Sequence, residues 1–381
     1  MVGLTPRENF WKAANHEEPE WVPVFWGGSN SSIVPSHYEA LCRHLGIPDV
    51  KPGAGDFGVV NLHPELKTRF HSDVELLLMG APRRQRLEDG LIQDGMWGFL
   101  MKDVGGFRTH PDQIAPLRRA QTIEEIEAHP IWPDPDHPSY YHQQKEKARQ
   151  LYDTGRIVLG EASYAGAPFF IYPWLRGVDL WMMDPYSNPK LYRHLAEKIT
   201  DLSAIILERW LERVGPYLDV LCFYDDIAMQ TGPMVSLDHY RQWILPYEKR
   251  LTDIAARMTK AKRSLHCCGS CYDLLPGFLE AGYEILNPVQ TRAKNMEAWR
   301  LKENYGDRLS FYGGLDVQRL LPFGTVDDVR QGVRELIKTL GPGGGFLFAT
   351  SHNIEPDTPL ENIVALFDTA HEFGRYPLSL D

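Results

Sequence analysis

The segment Arg263–Cys271 (RSLHCCGSC) holds the residues whose types and spacing most clearly indicate chemistry. We interpret it as a short strand that runs into Gly269. Side chains two residues apart on a strand point to the same side, so His266 and Cys268 share one face and Cys267 takes the other. An imidazole beside a thiolate supplies half of a tetrahedral zinc site. The remaining ligands must then come from elsewhere in the chain.

The composition of the 381-residue chain is typical of a globular protein and argues against several kinds of partner. A formal net charge of −11 and a pI near 5.7 offer no attraction to nucleic acid or to an anionic membrane. No apolar run approaches the roughly 20 residues of a membrane span, and the N-terminus lacks the apolar core of a signal peptide. Five cysteines, three of them between positions 267 and 271, do not make a disulfide framework. We therefore expect a reduced, soluble, cytoplasmic protein.

The elements that must position these residues form a regular alternation of strands and helices. The predicted strands are 21–26, 73–78, 157–161, 219–226, 264–269, 283–289, 309–312 and 345–350. Those after position 155 precede predicted helices at about 189–213, 237–260, 272–281, 296–304, 326–340 and 360–373. Eight such units at this length predict an α/β fold, a closed (β/α)8 TIM barrel with an elaborated N-terminal region. We expect one domain, 1–381, with a long insertion at about 36–154 between early strands.

A barrel of this kind collects its catalytic residues at the carboxyl ends of its strands. Polar and ionisable side chains are concentrated there in this sequence. They are Gly27-Gly28-Ser29, Glu161, Asp225, Asp226, His266, Cys268, Asn287, Gln290, Gly313, Gly314, Asp316 and Ser351-His352-Asn353. This asymmetry predicts an active site at one mouth of the barrel.

The carboxylates that end the fourth strand are catalytic candidates with a simple alternative. By alternation, one of Asp225 and Asp226 points into the mouth and the other toward the surrounding layer. The inward one could contact a substrate or a cofactor, orient a metal-bound histidine or transfer a proton. Otherwise both residues cap and form ion pairs in the following loop. For His266 and Cys268 the simple alternative is a buried thiol beside a hydrogen-bonded imidazole.

Four further strand-end residues are candidates for holding a ligand. Gln290, a catalytic candidate, and Asn287, a cofactor-binding candidate, offer neutral hydrogen bonds, although either could instead cap the turn after the sixth strand. Gly313 and Gly314 allow a cofactor to approach the backbone closely, although glycines also serve tight turns.

Nearly the whole chain, from Leu4 to Leu378, resembles the uroporphyrinogen-decarboxylase-like superfamily. The segments that carry the resemblance occur in order along the chain. They are Thr5–Phe10, Tyr224–Pro233, His266–Ser270, Ile285–Gln290, Phe311–Gln318 and Ser351–Pro359. The resemblance implies a (β/α)8 barrel independently of the strand count.

Within this superfamily the chain looks like the corrinoid-dependent methyltransferase branch and unlike the true decarboxylases. The decarboxylases carry an arginine-rich segment after the first strand, but Gly27–Ile33 (GGSNSSI) contains no arginine to meet a substrate with many carboxylates. In the methyltransferase branch a His-x-Cys pair and a third ligand near the eighth strand hold zinc. The resemblance assigns that pair to His266 and Cys268. Alignment on Pro356–Asn362 puts His352 at or beside the third position, where thiol methyltransferases have cysteine.

The resemblance implies a methyltransferase that moves a methyl group between a small methylated substrate and the cobalt of a corrinoid carried on a partner protein. Zinc would act as a Lewis acid. Histidine in place of the third cysteine favours a methoxy donor over a thiol. A homodimer is also compatible with the sequence.

Two rival functions follow from the same residues. One is a decarboxylating lyase, with Asp225 or Asp226 steering protons and with Arg176 or Arg292 supplying cations at the mouth. The other is a barrel that binds a tetrapyrrole or corrinoid without catalysis.

Overall fold

A computed structural model describes residues 3–28, 30–48, 53–54, 60–104 and 107–379; Ser29, one of the predicted strand-end residues, lies outside these ranges. Seven parallel strands form the central sheet in the order β15-β14-β13-β12-β9-β8-β3. The strands in chain order are β1 Gly53–Ala54, β2 Val60–Asn61, β3 Val74–Leu78, β4 Gln85–Arg86, β5 Ile92–Gln93, β6 Leu100–Val104, β7 Phe107–Thr109, β8 Ile157–Glu161, β9 Val220–Tyr224, β10 Ala228–Met229, β11 Gly232–Pro233, β12 Lys262–His266, β13 Ile285–Val289, β14 Ser310–Leu315 and β15 Phe346–Thr350.

The segment 21–26 closes this sheet into a barrel, although it is not the regular strand that the sequence predicts. On one side the Phe25 N–H donates to the Phe348 carbonyl at 2.8 Å, and on the other the Asp73 N–H donates to the Val24 carbonyl at 2.9 Å. Pro19 precedes this segment and Pro23 lies inside it. Proline has no N–H to donate to a neighbouring strand, so the pairing is limited to isolated bridges. The predicted α/β barrel is confirmed, with seven regular strands and one bridged segment.

Helices pack around the barrel, and the first of them lies at its amino-terminal end. They are α1 Pro6–Ala14, α2 Pro35–His44, α3 Pro64–Arg69, α4 Ile123–Glu127, α5 Gln144–Asp153, α6 Pro168–Arg176, α7 Val178–Ser187, α8 Pro189–Val214, α9 Leu237–Trp243, α10 Leu245–Met258, α11 Leu275–Ala281, α12 Ala298–Tyr305, α13 Leu320–Phe323, α14 Val326–Leu340 and α15 Leu360–Phe373. Within the described ranges, no helix has the length and apolar character needed to cross a membrane.

Local signals explain where several helices begin and end. Thr5 and Thr325 each form a capping box, and α1 and α14 begin at the next residue. The single helix predicted at 237–260 is wrong, since α9 ends at Trp243 and α10 starts at Leu245. Pro246 causes this break, because a proline in the helix interior lacks the N–H donor and is tolerated only in a first turn.

The region between positions 36 and 154 supplies both a barrel strand and a second sheet. Strand β3 pairs in parallel with β8, from Val74 opposite Ile157 to Leu78 opposite Glu161. Strands β4 to β7 form a separate antiparallel sheet that the sequence analysis did not predict. The interpretation of this region as an insertion in a single domain stays a prediction.

Asp219 fastens α1 to the amino-terminal end of the barrel. Its buried carboxylate accepts hydrogen bonds from Arg7 Nε at 2.9 Å, from Trp11 Nε1 at 3.0 Å and from the Val158 N–H at 2.9 Å. These donors come from two distant parts of the chain, so one side chain joins the N-terminal helix to strands β8 and β9.

We expect Asp219→Asn to lower the free energy of unfolding by about 3 kcal/mol, because it removes the charge that pairs with the largely buried Arg7 guanidinium. Chemical denaturation of both proteins would measure the difference. Asp327→Asn is the matched control, since that carboxylate is exposed on α14 and its loss is expected to cost less than about 0.5 kcal/mol. Equal stability of the two variants would contradict this role for Asp219.

Candidate functional site

The parallel register of three neighbouring strands brings the candidate residues to one level of the mouth. Strand β12 pairs with β9 on one side and with β13 on the other, so that His266 lies opposite Tyr224 and Asn287. Asp226 follows the end of β9, and Cys268 follows the end of β12. Residues far apart in the sequence therefore meet at the carboxyl ends of the strands.

His266, Cys268 and His352 converge as a metal site requires. Their ligand atoms all lie within 4.8 Å of one another, and His266 Nε2 is 3.3 Å from Cys268 Sγ. Donors around a tetrahedral zinc ion are roughly 3.5 Å apart, given zinc–ligand bonds of about 2.0 to 2.3 Å. One edge of the triangle is already close to this length, and the other two are no longer than 4.8 Å. Within the described ranges, no other group of three or more His, Cys, Asp or Glu side chains converges in this way.

Neighbouring polar groups orient the first two members of this triad. Asn287 Oδ1 lies 2.6 Å from His266 Nδ1, where it accepts a hydrogen bond from the Nδ1–H tautomer, and this tautomer leaves the Nε2 lone pair free for the triad. The Cys268 N–H donates to Asp226 Oδ1 at 2.6 Å, and the same oxygen lies 3.8 Å from His266 Nε2. Asp226 therefore organises the turn that places the cysteine beside the histidine.

The protonation states of the triad without an ion follow from burial and neighbouring charge. Burial, together with the positive charge that His266 can carry, lowers the pKa of His352 to about 4. Burial and the Asp226 carboxylate raise the pKa of the Cys268 thiol well above its usual value. His352 is therefore a ready neutral donor, whereas Cys268 needs a bound cation to release its proton.

The two adjacent aspartates divide between the mouth and the helix layer, as strand alternation requires. Asp226 lies at the wall of the mouth cavity. Asp225 is fully buried on the other side, where burial and the nearby Glu248 carboxylate raise its pKa well above the usual value. Glu248 in turn accepts a hydrogen bond from Tyr240. The catalytic role predicted for Asp225 does not fit this placement, because its carboxylate faces away from the cavity; that of Asp226 stays a prediction.

Gln290, Gly313 and Gly314 have structural roles that do not require a ligand. Gln290 Oε1 accepts from the Gly269 N–H at 2.5 Å and from Gln230 Nε2 at 3.2 Å, which holds the turn after Cys268. A β-carbon on Gly314 would lie 2.7 Å from the Leu336 side chain, and both glycines have positive φ angles. Packing thus explains these glycines, and the ligand roles proposed for all three residues, as well as for Asn287, stay predictions.

A cavity of about 750 Å³ opens at the mouth beside the triad. Its described lining includes Leu76, Leu78, Met79, Arg83, Arg84, Asp94, Glu161, Tyr164, Phe170, Tyr224, Asp226, His266, His352, Asn353 and Glu355. The sequence analysis did not anticipate the wall formed by positions 76–94, since nothing in that stretch matches a known site pattern. At the end of the eighth strand the sequence analysis identified Ser351, His352 and Asn353, but it did not single out Glu355.

This combination, a (β/α)8 barrel with its ionisable side chains gathered around a cavity at one mouth, defines an enzyme-like scaffold. The chain belongs to the uroporphyrinogen decarboxylase (URO-D) family, whose model matches residues 115–373. Uroporphyrinogen decarboxylase from Syntrophotalea carbinolica is 25% identical over 71% of this chain and 74% of its own length. Several further decarboxylases match over about half of their length, such as that of Methylococcus capsulatus (51%).

Two of the proteins to which this chain is similar are methyltransferases, one matched in sequence and one in structure. The methylated-thiol–coenzyme M methyltransferase of Methanosarcina mazei is 30% identical over 57% of this chain and 58% of its own length. A solved methyltransferase from the same organism superposes with a TM-score of 0.63, at 19% identity, over 97% of this chain and 99% of its own. At this identity the structural match bears on the fold, and the sequence match bears on the branch.

We expect the ring of His352 to stay neutral down to a pH near 4 in the metal-free protein. The unfolded chain takes up a proton near pH 6.5, so lowering the pH from about 6.5 to 4 protonates the unfolded state first and reduces stability over that window. Histidine NMR titration would give the pKa, and denaturation at pH 7 and pH 5 would give the stability difference. His352→Gln should reduce that difference; an unchanged difference would contradict the assignment.

Proposed function

We propose that this protein is a methyltransferase that moves a methyl group between a small methylated substrate, with a methoxy compound favoured, and the cobalt of a corrinoid carried on a partner protein. The convergence of His266, Cys268 and His352 beside the mouth cavity carries this proposal. The similarity to a methylated-thiol methyltransferase supports the reaction class. The triad, with two imidazoles and one thiol, would hold zinc and leave one position open toward the cavity.

Zinc in this site would supply Lewis acidity at the oxygen of a methyl ether. The corrinoid of the partner protein would take up the methyl group with the electron pair of its Co(I), and the ether oxygen would keep the electron pair of its former bond to the methyl carbon. The protein orients the reaction through Asn287, which fixes the His266 ring, and through the packed walls of the cavity. Asp226 lies beside His266 and Cys268, where it can exchange a proton with the departing oxygen.

Decarboxylation of an acid is the second candidate function. Two observations favour it: Arg83 and Arg84 line the cavity, and the family contains decarboxylases. Two of the arginines considered for that reaction are engaged elsewhere. Arg176 is buried and binds Asp184 and two backbone carbonyls, and Arg292 lies 3.8 Å from Asp316. Arg84 donates to Tyr164 Oη at 2.7 Å. These contacts leave few cations for a substrate with many carboxylates.

We expect the protein to bind one zinc ion per chain. His266→Ala, Cys268→Ser and His352→Ala should each weaken the affinity by more than about 100-fold, and Asn287→Leu by about 10- to 100-fold through loss of ring orientation. Metal analysis after dialysis and competition with a chromogenic chelator would measure this. His44→Ala is the control, since His44 is an exposed residue of α2. Full zinc content in all three triad variants would refute the site.

We expect zinc-loaded protein to alkylate free cob(I)alamin with a methyl ether donor, which the change in the cobalt absorption spectrum would report. Asp226→Asn should lower kcat by about 100-fold, in the range for loss of a general acid or base. Asp327→Asn is the surface control. Release of CO2 from uroporphyrinogen without cobalt alkylation from methoxyarenes, methylated amines or thiols would favour the lyase instead.

A further inference from the structure

The loop after β15 places a carboxyl group in the mouth cavity. Glu355 lines this cavity together with Asp226, His266 and His352, and it is half-buried there. It follows His352 by only three positions along the chain. The loop that supplies the third member of the triad therefore also supplies a carboxyl group to the same cavity.

Backbone pairing fixes the direction in which Glu355 points. The Ile354 N–H donates to the Ser32 carbonyl at 2.9 Å, and the Val34 N–H donates to the Ile354 carbonyl at 3.1 Å. The Ile354 side chain is fully buried in the core. Because neighbouring side chains of an extended segment point to opposite sides, Glu355 is directed away from the core and into the cavity.

The Glu355 carboxyl has no hydrogen-bond donor or cation beside it in the part of the chain that the structure describes. The other carboxyl groups of the cavity wall are engaged. Asp94 accepts two backbone N–H groups, at 2.9 and 2.7 Å, and Asp226 accepts that of Cys268. The buried Glu161 also has a partner within the protein. Glu355 is therefore the carboxyl group of the wall that is left to interact with a ligand.

The surroundings of Glu355 favour its protonated form. Burial, and then the negative charge of Asp357 on the same loop, raise the pKa of Glu355. The other ionisable groups of the cavity wall are two imidazoles, three carboxyl groups and two guanidinium groups: His266, His352, Asp94, Glu161, Asp226, Arg83 and Arg84. A carboxyl group that keeps its proton to a higher pH than usual is suited to give that proton to a reacting oxygen.

The proposed methyl transfer requires such a proton. The ether oxygen keeps the electron pair of its bond to the methyl carbon when that bond breaks. The new bond to the methyl carbon uses the electron pair of the Co(I) on the partner protein. The oxygen is therefore left with a negative charge, and a proton donor beside it would let it leave as an alcohol.

We propose that Glu355 is the catalytic residue that donates this proton. The bond between the carboxyl oxygen and its proton breaks as the O–H bond of the alcohol forms, and the Glu355 carboxylate takes up a proton from solvent before the next turnover. This inference rests on the proposed methyl transfer for the identity of the oxygen. Asp226 can exchange a proton with the same oxygen, so both carboxyl groups are varied in the experiments.

Two donors that differ in the leaving oxygen test the proton transfer, with free cob(I)alamin as acceptor. The 4-nitrophenolate that leaves 4-nitroanisole is a weak base and needs no proton, whereas the 4-methylphenolate that leaves 4-methylanisole is a stronger base. We expect Glu355→Gln to lower kcat about 100-fold with 4-methylanisole and less than about fivefold with 4-nitroanisole. Equal losses with the two donors would overturn the inference, because a structural defect does not distinguish leaving groups.

Asp357→Asn is the matched control for this experiment. Asp357 is an exposed carboxylate two positions further along the same loop. Because solvent screens an exposed charge, this substitution should change kcat by less than about twofold with either donor. A loss in Asp357→Asn as selective for 4-methylanisole as that in Glu355→Gln would refute the assignment to Glu355.

A binding experiment follows the proton without any methyl transfer. The zinc-loaded full chain is titrated with 4-nitrophenol at about pH 8, where an ordinary carboxyl group is ionised. Calorimetry in two buffers of different ionisation enthalpy gives the number of protons taken up. A phenolate oxygen beside Glu355 favours its protonated form, so the wild type should take up at least about half a proton more than Glu355→Gln.

The same titration separates the two carboxyl groups. Asp226→Asn should keep the proton uptake of the wild type. Equal uptake by the wild type and Glu355→Gln would overturn the inference, as would a loss of uptake in Asp226→Asn alone.

The proposed transferase and the role of Glu355 can fail separately. Proton uptake that depends on Glu355, with no alkylation of cobalt by any ether, would count against the transferase and leave Glu355 as the proton donor to an oxygen in this cavity. Methyl transfer that Glu355→Gln does not slow with either donor would refute the role of Glu355 and leave the transferase standing.

Discussion

The site depends on one constraint, the parallel register in which β12 lies between β9 and β13. Side chains alternate along a strand, so a slip of one residue would turn His266 toward the helices and Cys267 toward the mouth. Hydrogen bonds at the strand ends resist such a slip. The Asp225 N–H donates to the His266 carbonyl at 3.0 Å, and the Cys267 N–H donates to the Asn287 carbonyl at 2.7 Å. The same backbone pairing that builds the barrel thus aims the side chains.

The aspartates after β9 illustrate how burial gives identical side chains different properties. Asp226 keeps contact with the cavity and binds the backbone N–H of Cys268. Asp225 shares a buried space with Glu248, and two carboxyl groups in such a space are strongly biased toward retaining a proton. Ionisation of both would leave uncompensated charges between the barrel and its helices. Asp225 therefore contributes to the packing of the fold, and Asp226 to the surface of the mouth.

Much of the architecture was predictable because its signals are local. The helices predicted at 326–340 and 360–373 are α14 and α15 with the same bounds, and strand alternation separated Asp225 from Asp226. The approach of His352 to His266 and Cys268 followed from a resemblance, since no local pattern links positions 86 residues apart. Metal binding by these three residues remains a prediction.

The unpredicted parts depend on distant contacts. Strands β4, β5 and β7 have only two or three residues each, too few for alternation to be recognised, and they exist through pairing with their neighbours. The segment 21–26 is irregular because its partners lie at positions 73 and 348. Gln290 looked like a group for binding a ligand, and only the folded turn reveals that its oxygen is occupied by Gly269 and Gln230.

Barrel closure between the N-terminal segment 21–26 and β15 has a consequence for the order in which the protein matures. During synthesis the segment 21–26 leaves the ribosome long before β15, so this early segment has no strand on one side until β15 emerges. His352 follows β15 by two residues. Pairing of β15 therefore closes the barrel and at the same time places His352 beside His266 and Cys268. A nascent chain halted before β15 would contain Cys268 and His266 but would lack the third side chain of the triad.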